Sequence, residues 1–167
     1  MNPVHLHLLL NHLPILAVIF GLLVLLSGII LKNPTIKYVG LAFFILAALL
    51  VVPANRTGEI AEDAVEKIPG ISHQIIEAHE EATKPFFIGT LILGALALLT
   101  AWLERKNKGF ATKLYVPLCL IACVLSFLAV KAGNSGGQIR RPDLRTDKNN
   151  IEIPMNTPMP PENEDKD

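Results

Sequence analysis

Hydrophobic and polar positions separate into long blocks along this chain. Four stretches carry no Asp, Glu, Lys or Arg, namely residues 13–31, 38–55, 85–103 and 114–130. About 20 apolar residues cross the hydrocarbon core of a bilayer as a helix, with about 17 as the lower limit. All four stretches meet that limit, and four in succession are very hard to bury without lipid. The pattern predicts an all-α, up-down-up-down bundle of four transmembrane helices.

Apart from the tail, the chain is predicted to form one domain over residues 1–145, with an outer loop at 55–83. The expected helices cover about residues 8–31, 36–54, 84–104 and 113–132. Two parts of the loop have amphipathic spacing and are predicted as short helices on the outer face, one after Thr57 and one after Ser72. Residues 146–167 are rich in Pro, Asn and acid, which predicts a disordered tail.

The distribution of charge predicts the orientation in the membrane. The two short turns hold six basic residues and one acidic residue: Lys32, Lys37, Glu104, Arg105, Lys106, Lys108 and Lys113. The central loop from Arg56 to Lys84 holds three basic and seven acidic residues. An excess of Lys and Arg in short loops marks the cytoplasmic side. The N-terminus, the central loop and the C-terminus are therefore expected on the outer, non-cytoplasmic face of the membrane.

Several functional classes are disfavoured. The 15 basic and 15 acidic residues cancel, and the basic residues are scattered, which argues against nucleic-acid binding. No Gly-x-Ser-x-Gly, phosphate-binding glycine loop or serine triad is present. We therefore do not expect a stand-alone enzyme.

The histidines are the main candidates for chemistry, because all five fall on the predicted outer half. They are His5, His7, His12, His73 and His79. Helical spacing turns His73 towards water and His79 into an apolar arc, where its nitrogens need a hydrogen-bond partner or a metal. His12 precedes Pro14 at the outer entrance of the first helix, and an ionisable residue there is a functional candidate. His5 falls on the same helix face as His12, and His7 on another.

Polar residues near these histidines are candidates for supporting roles. Glu59 and Glu62 could orient an inward imidazole, although helix capping also explains acids at this position. Two arginines, Arg140 and Arg141, follow paired glycines and suit an anion such as a propionate. Contacts with lipid headgroups are an equal alternative for them.

Four ordered blocks resemble an uncharacterised family of small bacterial four-helix membrane proteins. The blocks are Asn11-His12-Leu13-Pro14-Ile15, Gly58-Glu59-Ile60-Ala61-Glu62, His79-Glu80-Glu81-Ala82 and Gly136-Gly137-Gln138-Ile139-Arg140. The resemblance covers most of the chain up to Arg145 and implies a haem-binding redox protein in a bacterial membrane. It implies His12 and His79 as the paired axial ligands, with Asn11 beside them. The family pattern has a histidine where this chain has Arg141, so any role of that histidine is lost or altered here.

Three functional hypotheses follow. The first is a b-type haem protein that passes electrons at the outer face to a redox partner such as a quinone, with His12 and His79 as ligands. The second is a site for zinc, copper or iron, for which the candidate ligands are His5, His7, His12, His79, Glu59, Glu62 and Glu80. The third is a cofactor-free subunit of an oligomer or larger complex. Its small-residue contact surfaces would be Gly21, Gly28, Gly89 and Gly94.

Overall fold

The computed structural model describes residues 3–68, 71–106 and 109–141, so the predicted disordered tail lies outside the described residues. The described chain forms five helices. They are α1 (Pro3–Leu10), α2 (His12–Ile30), α3 (Pro34–Val65), α4 (His73–Arg105) and α5 (Ala111–Arg140). Four helical spans are long and apolar enough to cross a membrane, the first being α1 and α2 together. The predicted all-α bundle of four membrane-length helices is confirmed.

The first span is interrupted at a single residue, Asn11. Its backbone stays in the right-handed helical region, with φ −62° and ψ −28°, and its N–H donates to the His7 carbonyl at 2.9 Å. Pro14 follows three residues later and has no N–H for the Leu10 carbonyl to accept. The chain therefore continues from α1 into α2 with a local break in the hydrogen-bond ladder.

The helices α3 and α4 are longer than the bilayer requires. They contain 32 and 33 residues, or about 48 Å each at 1.5 Å per residue, against a hydrocarbon core of about 30 Å. The amphipathic segments predicted as short helices on the outer loop are helical, but each continues a membrane-spanning helix. The excess length projects beyond the uncharged stretches and carries the polar residues of the central loop.

Packing follows the expected cyclic order, in which α3 and α5 each lie between α2 and α4, and α1 packs on α3. The fully buried core side chains include Val18, Leu25, Leu41, Phe44, Leu93 and Leu118. Large apolar side chains also cover the outside, among them Leu49, Phe127 and Val130, which are 67%, 66% and 69% exposed. A bundle with apolar residues inside and outside matches a lipid environment.

The glycines predicted as contact surfaces for partner subunits are used inside the bundle. A Cβ on Gly94 would lie 2.3 Å from the Ala48 Cβ, and one on Gly28 would lie 2.6 Å from the backbone nitrogen of Lys37. Comparable contacts place Gly21 against Phe44 and Gly89 against Leu125. These positions let α2 approach α3, α3 approach α4, and α4 approach α5.

The two ends of the bundle differ in their polar residues. We call the end formed by α1, the start of α2, the C-terminal parts of α3 and α5 and the N-terminal part of α4 the histidine end. We call the opposite end, with the turns between α2 and α3 and between α4 and α5, the lysine end. All the histidines belong to the first, whereas Lys32, Lys37, Lys106 and Lys113 belong to the second.

Candidate functional site

The imidazole of His7 is turned into the bundle from α1 and held by α3. Its Nδ1 lies 3.1 Å from the carbonyl oxygen of Ala54 and 3.5 Å from Thr57 Oγ1. The ring packs on Gly58, where an added Cβ would lie 3.1 Å from the ring Cε1. The Thr57 hydroxyl donates to the carbonyls of Pro53 and Ala54, at 2.9 and 3.0 Å. One turn of α3 therefore provides both the hydrogen-bond acceptor for His7 and the glycine against which its ring packs.

The imidazole of His79 is held in the same manner between α4 and α5. Its Nδ1 lies 2.9 Å from Ser135 Oγ, and the Ser135 hydroxyl donates to the Ala132 carbonyl at 2.9 Å. The ring packs on Gly136, where an added Cβ would lie 3.0 Å from Cε1. Two histidines from different helices are thus each fixed by an oxygen at Nδ1 and by a glycine beneath the ring.

These hydrogen bonds determine the tautomer of both rings. A carbonyl oxygen only accepts, so His7 Nδ1 carries the proton and donates to Ala54. When the Ser135 hydroxyl donates to the Ala132 carbonyl, its oxygen accepts from Nδ1–H of His79. In a neutral imidazole the other nitrogen then has a free lone pair. Nε2 of both His7 and His79 is therefore set up as an acceptor or metal ligand.

Both rings lie at the histidine end, His7 on α1 and His79 in the N-terminal part of α4. Both are partly buried. His79 precedes the uncharged stretch of α4 by six residues, or about 9 Å of helix. The pair therefore lies near the boundary between the apolar part of the bundle and its projecting end.

His12, the partner of His79 in the predicted pair, faces outward. Its side chain is exposed, and its Nδ1 lies 3.1 Å from the Leu8 carbonyl one turn earlier in its own span. His5 is also exposed, which agrees with its assignment to the same helix face as His12. His7, on the other face of this helix, is the histidine of the first span whose ring is held by a neighbouring helix, as the His79 ring is.

Asn11 lies one helical turn from His7 and is half-buried. Its side-chain oxygen Oδ1 is buried and has no hydrogen-bond partner among the described residues. Residues four apart share a helix face, so this acceptor is on the same side of the helix as the His7 ring. A buried acceptor without a donor is costly and leaves a position for a donor from a bound group or a water.

The acidic residues predicted near the histidines have different partners. Glu59 is exposed and accepts hydrogen bonds from Asn55 at 2.8 Å and from Arg56 at 3.3 Å. Glu80 is half-buried and forms an ion pair of 3.7 Å with Lys84. Glu62 lies close to Glu80, and burial and this neighbour raise the pKa of Glu62, which is outside the uncharged stretches.

A second polar group lies where α3 ends and α4 begins. Ligand atoms of Glu62, Glu66 and His73 lie within 4.8 Å of one another. His73 Nδ1 donates to Glu66 Oε1 at 2.6 Å, and both side chains are largely exposed. This hydrogen bond to a carboxylate raises the pKa of His73, which also lies outside the uncharged stretches. His73 faces water, as its helical position predicts.

The arginines predicted to bind an anion lie at the end of α5. The backbone of Arg140 ends the helix, and the Arg141 N–H donates to the Gly137 carbonyl at 3.0 Å. The Arg141 side chain is exposed, while the Arg140 side chain is outside the described set. Their role as propionate partners stays a prediction.

The sequence named His7 only as an alternative metal ligand, and it did not predict that Ser135, Gly58 and Gly136 contact the imidazoles. One signal was available, since Gly58 and Gly136 both interrupt otherwise regular helical segments. Glycine in a helix interior costs about 1 kcal/mol relative to alanine, which suggests that another group approaches closely. Both of these glycines lie against an imidazole.

Comparisons with protein-family models, with curated proteins and with solved structures found no match for this chain. The resemblance drawn from the four sequence blocks therefore stays a prediction.

Proposed function

We propose that this membrane protein binds a b-type haem at its histidine end and transfers electrons there, with Nε2 of His7 and Nε2 of His79 as the two axial ligands. The observation that carries the proposal is the matched hydrogen bonding of the two rings. Nδ1 donates to Ala54 in one case and to Ser135 in the other. Histidine ligands in proteins are commonly held by such a bond at the second nitrogen, which orients the ring and makes it more basic.

The number of donors favours haem over a bare metal ion at this position. Zinc sites commonly use three or four protein ligands, whereas the axial positions of a haem iron need two. Among the described residues, the one group of three or more closely spaced His, Cys, Asp or Glu side chains is Glu62, Glu66 and His73. It contains neither His7 nor His79, so this pair suits a ligand that completes its own equatorial coordination.

The surroundings of the two rings restrict their orientation, which supports the proposal. Gly58 and Gly136 allow each imidazole to lie against the helix backbone, which limits rotation of the rings. Asn11 offers a buried acceptor with no partner among the described residues. When bound, haem would supply one-electron redox chemistry, with a potential set by the axial ligands and by burial.

The position of the pair suits exchange of electrons with an external partner. The site lies where the helices leave the uncharged stretches, close to the membrane boundary. A partner in the aqueous phase and a quinone in the bilayer both have access to such a position. The charge distribution in the turns favours the non-cytoplasmic face for this end.

The first test is the absorption spectrum of detergent-purified protein from haem-replete cells, oxidised and then reduced with dithionite. We expect a sharp reduced band in the wild type, and its loss in His79→Ala. The control is His73→Ala, which removes an exposed histidine from the same helix and should retain the spectrum. A colourless wild-type protein would overturn the proposal.

A second candidate function is binding of a divalent metal ion at Glu62, Glu66 and His73. The close approach of two carboxylates and one imidazole favours it, because such donors suit several transition metals. Isothermal titration with Zn²⁺ or Mn²⁺ tests this candidate, with Glu66→Gln as the variant and Glu59→Gln as the control. Equal heats for the two variants would contradict it.

A further inference from the structure

The lysine end contains a pocket that the proposed function does not use. The pocket has a volume of about 250 Å³ and lies where α2 ends and where α3 and α5 begin. Its lining residues are Ile29, Lys32, Lys37, Thr112, Tyr115 and Val116. The lining combines two cationic groups, two hydroxyl groups and two apolar side chains, and it includes no carboxylate.

The two lysines differ in how far their charges are already balanced. Lys37 Nζ lies 3.7 Å from Glu104 and 4.8 Å from the centre of the Tyr115 ring. None of the ion pairs among the described residues includes Lys32. Lys32 is also the one described non-glycine residue with a positive φ, at 51°, a conformation that Gly or Asn adopts at lower cost. Lys32 is thus a cation outside the ion pairs of the described residues, and its backbone conformation disfavours lysine.

Two helix starts add to the positive potential. The N-terminus of α5 begins after Phe110, which forms no side-chain cap, and Thr112 in its first turn lines the pocket. The start of α3 at Pro34, one turn before Lys37, contributes only its dipole, because the Asn33 side chain caps it by accepting from the Ile36 N–H. First-turn N–H groups and the helix dipole attract anions. The bound group is therefore expected to be negatively charged.

The deep side of the pocket contains a further polar group. Tyr115 is only 4% exposed, and its hydroxyl has no hydrogen-bond partner among the described residues. It lies beside the Glu104 carboxylate, whose Oε2 is likewise buried and without a hydrogen-bond partner among the described residues. A buried hydroxyl in this state is available to a bound oxygen atom, since a phenol both donates and accepts.

The size and position of the pocket narrow the ligand class. Sites that enclose a drug-sized ligand are roughly 300–1,000 Å³, so this one suits a small head rather than a whole molecule. Ile29 and Val116 are exposed beside it, at the end of the uncharged stretches of α2 and α5. Basic pockets between transmembrane helices bind the headgroups of anionic lipids.

We propose that this pocket binds the phosphate of an anionic phospholipid, with Lys32 and Lys37 on the phosphate and the acyl chains along Ile29 and Val116. The inference does not depend on haem binding, because the pocket lies at the opposite end of the bundle.

Native mass spectrometry of the detergent-purified full chain tests it by titration with phosphatidylglycerol, with phosphatidylcholine and with inorganic phosphate. The variant is Lys32→Asn, since asparagine accepts the positive φ. The control is Lys113→Gln, which removes a lysine from the same end but not from the pocket. We expect one tightly bound phosphatidylglycerol in the wild type and in Lys113→Gln, and about fivefold weaker binding in Lys32→Asn.

Circular dichroism and gel filtration check that both variants fold as the wild type does. Equal affinities of Lys32→Asn and Lys113→Gln for phosphatidylglycerol would overturn the proposal. Equally tight binding of phosphatidylcholine would overturn the preference for an anionic lipid. Binding of inorganic phosphate alone, with the same dependence on Lys32, would make this a site for the free ion and not for a lipid.

Discussion

The two ends of this bundle differ in how their polar side chains are hydrogen-bonded and paired. At the histidine end, His7 and His79 each donate a hydrogen bond to an oxygen of a neighbouring helix, which leaves Nε2 of both rings as an available lone pair. At the lysine end, Lys37 is paired with Glu104, while the hydroxyl of Tyr115 has no partner among the described residues. The first end is arranged to present ligand atoms, and the second to attract an anion.

The comparison also shows which features depend on tertiary contacts. The lysines of the second end lie beside short turns and next to uncharged stretches, so they are visible in the sequence. The histidine site joins residues 47 and 56 positions apart, from four different helices. Packing alone decides which histidine faces inward there.

The largest expected effect comes from placing a side chain at Gly136, against which the His79 ring packs. Gly136→Val would drive side-chain atoms into the His79 ring, since even a Cβ would lie 3.0 Å from it. We expect haem affinity to fall by up to about 100-fold, the upper range for disturbing the support of a metal ligand. Titration of haem into purified apoprotein measures this.

The matched control is Gly133→Val on the same helix, where an added Cβ meets nothing within 4 Å. This variant should bind haem as the wild type does. Equal losses in both variants would show that the helix, and not the ring contact, is what valine disturbs.

The next effect concerns the ion pair at the lysine end. Glu104→Gln leaves Lys37 without its partner, and the two side chains are only 15% and 18% exposed. Breaking a fully buried pair costs about 3–5 kcal/mol and an exposed pair under about 1 kcal/mol, so we expect about 2 kcal/mol of destabilisation. Reversible unfolding in mixed micelles measures it.

Glu59→Gln is the comparison for that variant, because the Arg56–Glu59 pair is 75% and 51% exposed. Its effect should stay below about 0.5 kcal/mol. A loss from Glu59→Gln as large as that from Glu104→Gln would contradict the difference in burial between the two pairs.

A smaller effect is expected at the hydrogen bond that fixes the His79 tautomer. Ser135→Ala removes the acceptor at Nδ1 and should lower haem affinity by about tenfold. Ser126→Ala is a control, because its hydroxyl donates only to the Ala122 carbonyl of its own helix. Wild-type haem affinity in Ser135→Ala would contradict the role of Ser135 in fixing the His79 tautomer.

The smallest effect concerns His73 and Glu66, at the surface of the histidine end. Because Glu66 raises the pKa of His73, the contact stabilises the fold below the ordinary histidine pKa of about 6.5. This contribution is lost as pH rises through the raised value. The difference in unfolding free energy between wild type and Glu66→Gln should therefore shrink from pH 6 to pH 9. A difference that does not change with pH would contradict it.

Much of the fold was predictable from the sequence. The absence of charge in four stretches identified the four membrane-length helices, since few other environments can bury them. The amphipathic spacing after Ser72 correctly predicted that the His73 side chain faces water. The sequence did not show that the loop segments continue α3 and α4, because helix formation there depends on packing of neighbouring projecting helices.

The candidate site was less predictable. Helical periodicity placed His5 and His12 on one face and His7 on another, but it does not reveal which face packs on a neighbour. The contact between α1 and α3 makes that choice, and it turns His7 inward. The paired glycines before Arg140 indicated a close approach, and Gly136 does lie against an imidazole. Ser135 gave no signal, because a serine near a helix end has many ordinary uses.

Comparison of His7→Ala with His12→Ala distinguishes whether His7 or His12 pairs with His79. The measurement is the reduced absorption spectrum together with the electron paramagnetic resonance spectrum of the oxidised protein. The account predicts that His7→Ala loses the low-spin haem signal, while His12→Ala retains it with unchanged haem content. A low-spin signal that survives His7→Ala and disappears in His12→Ala would contradict the account.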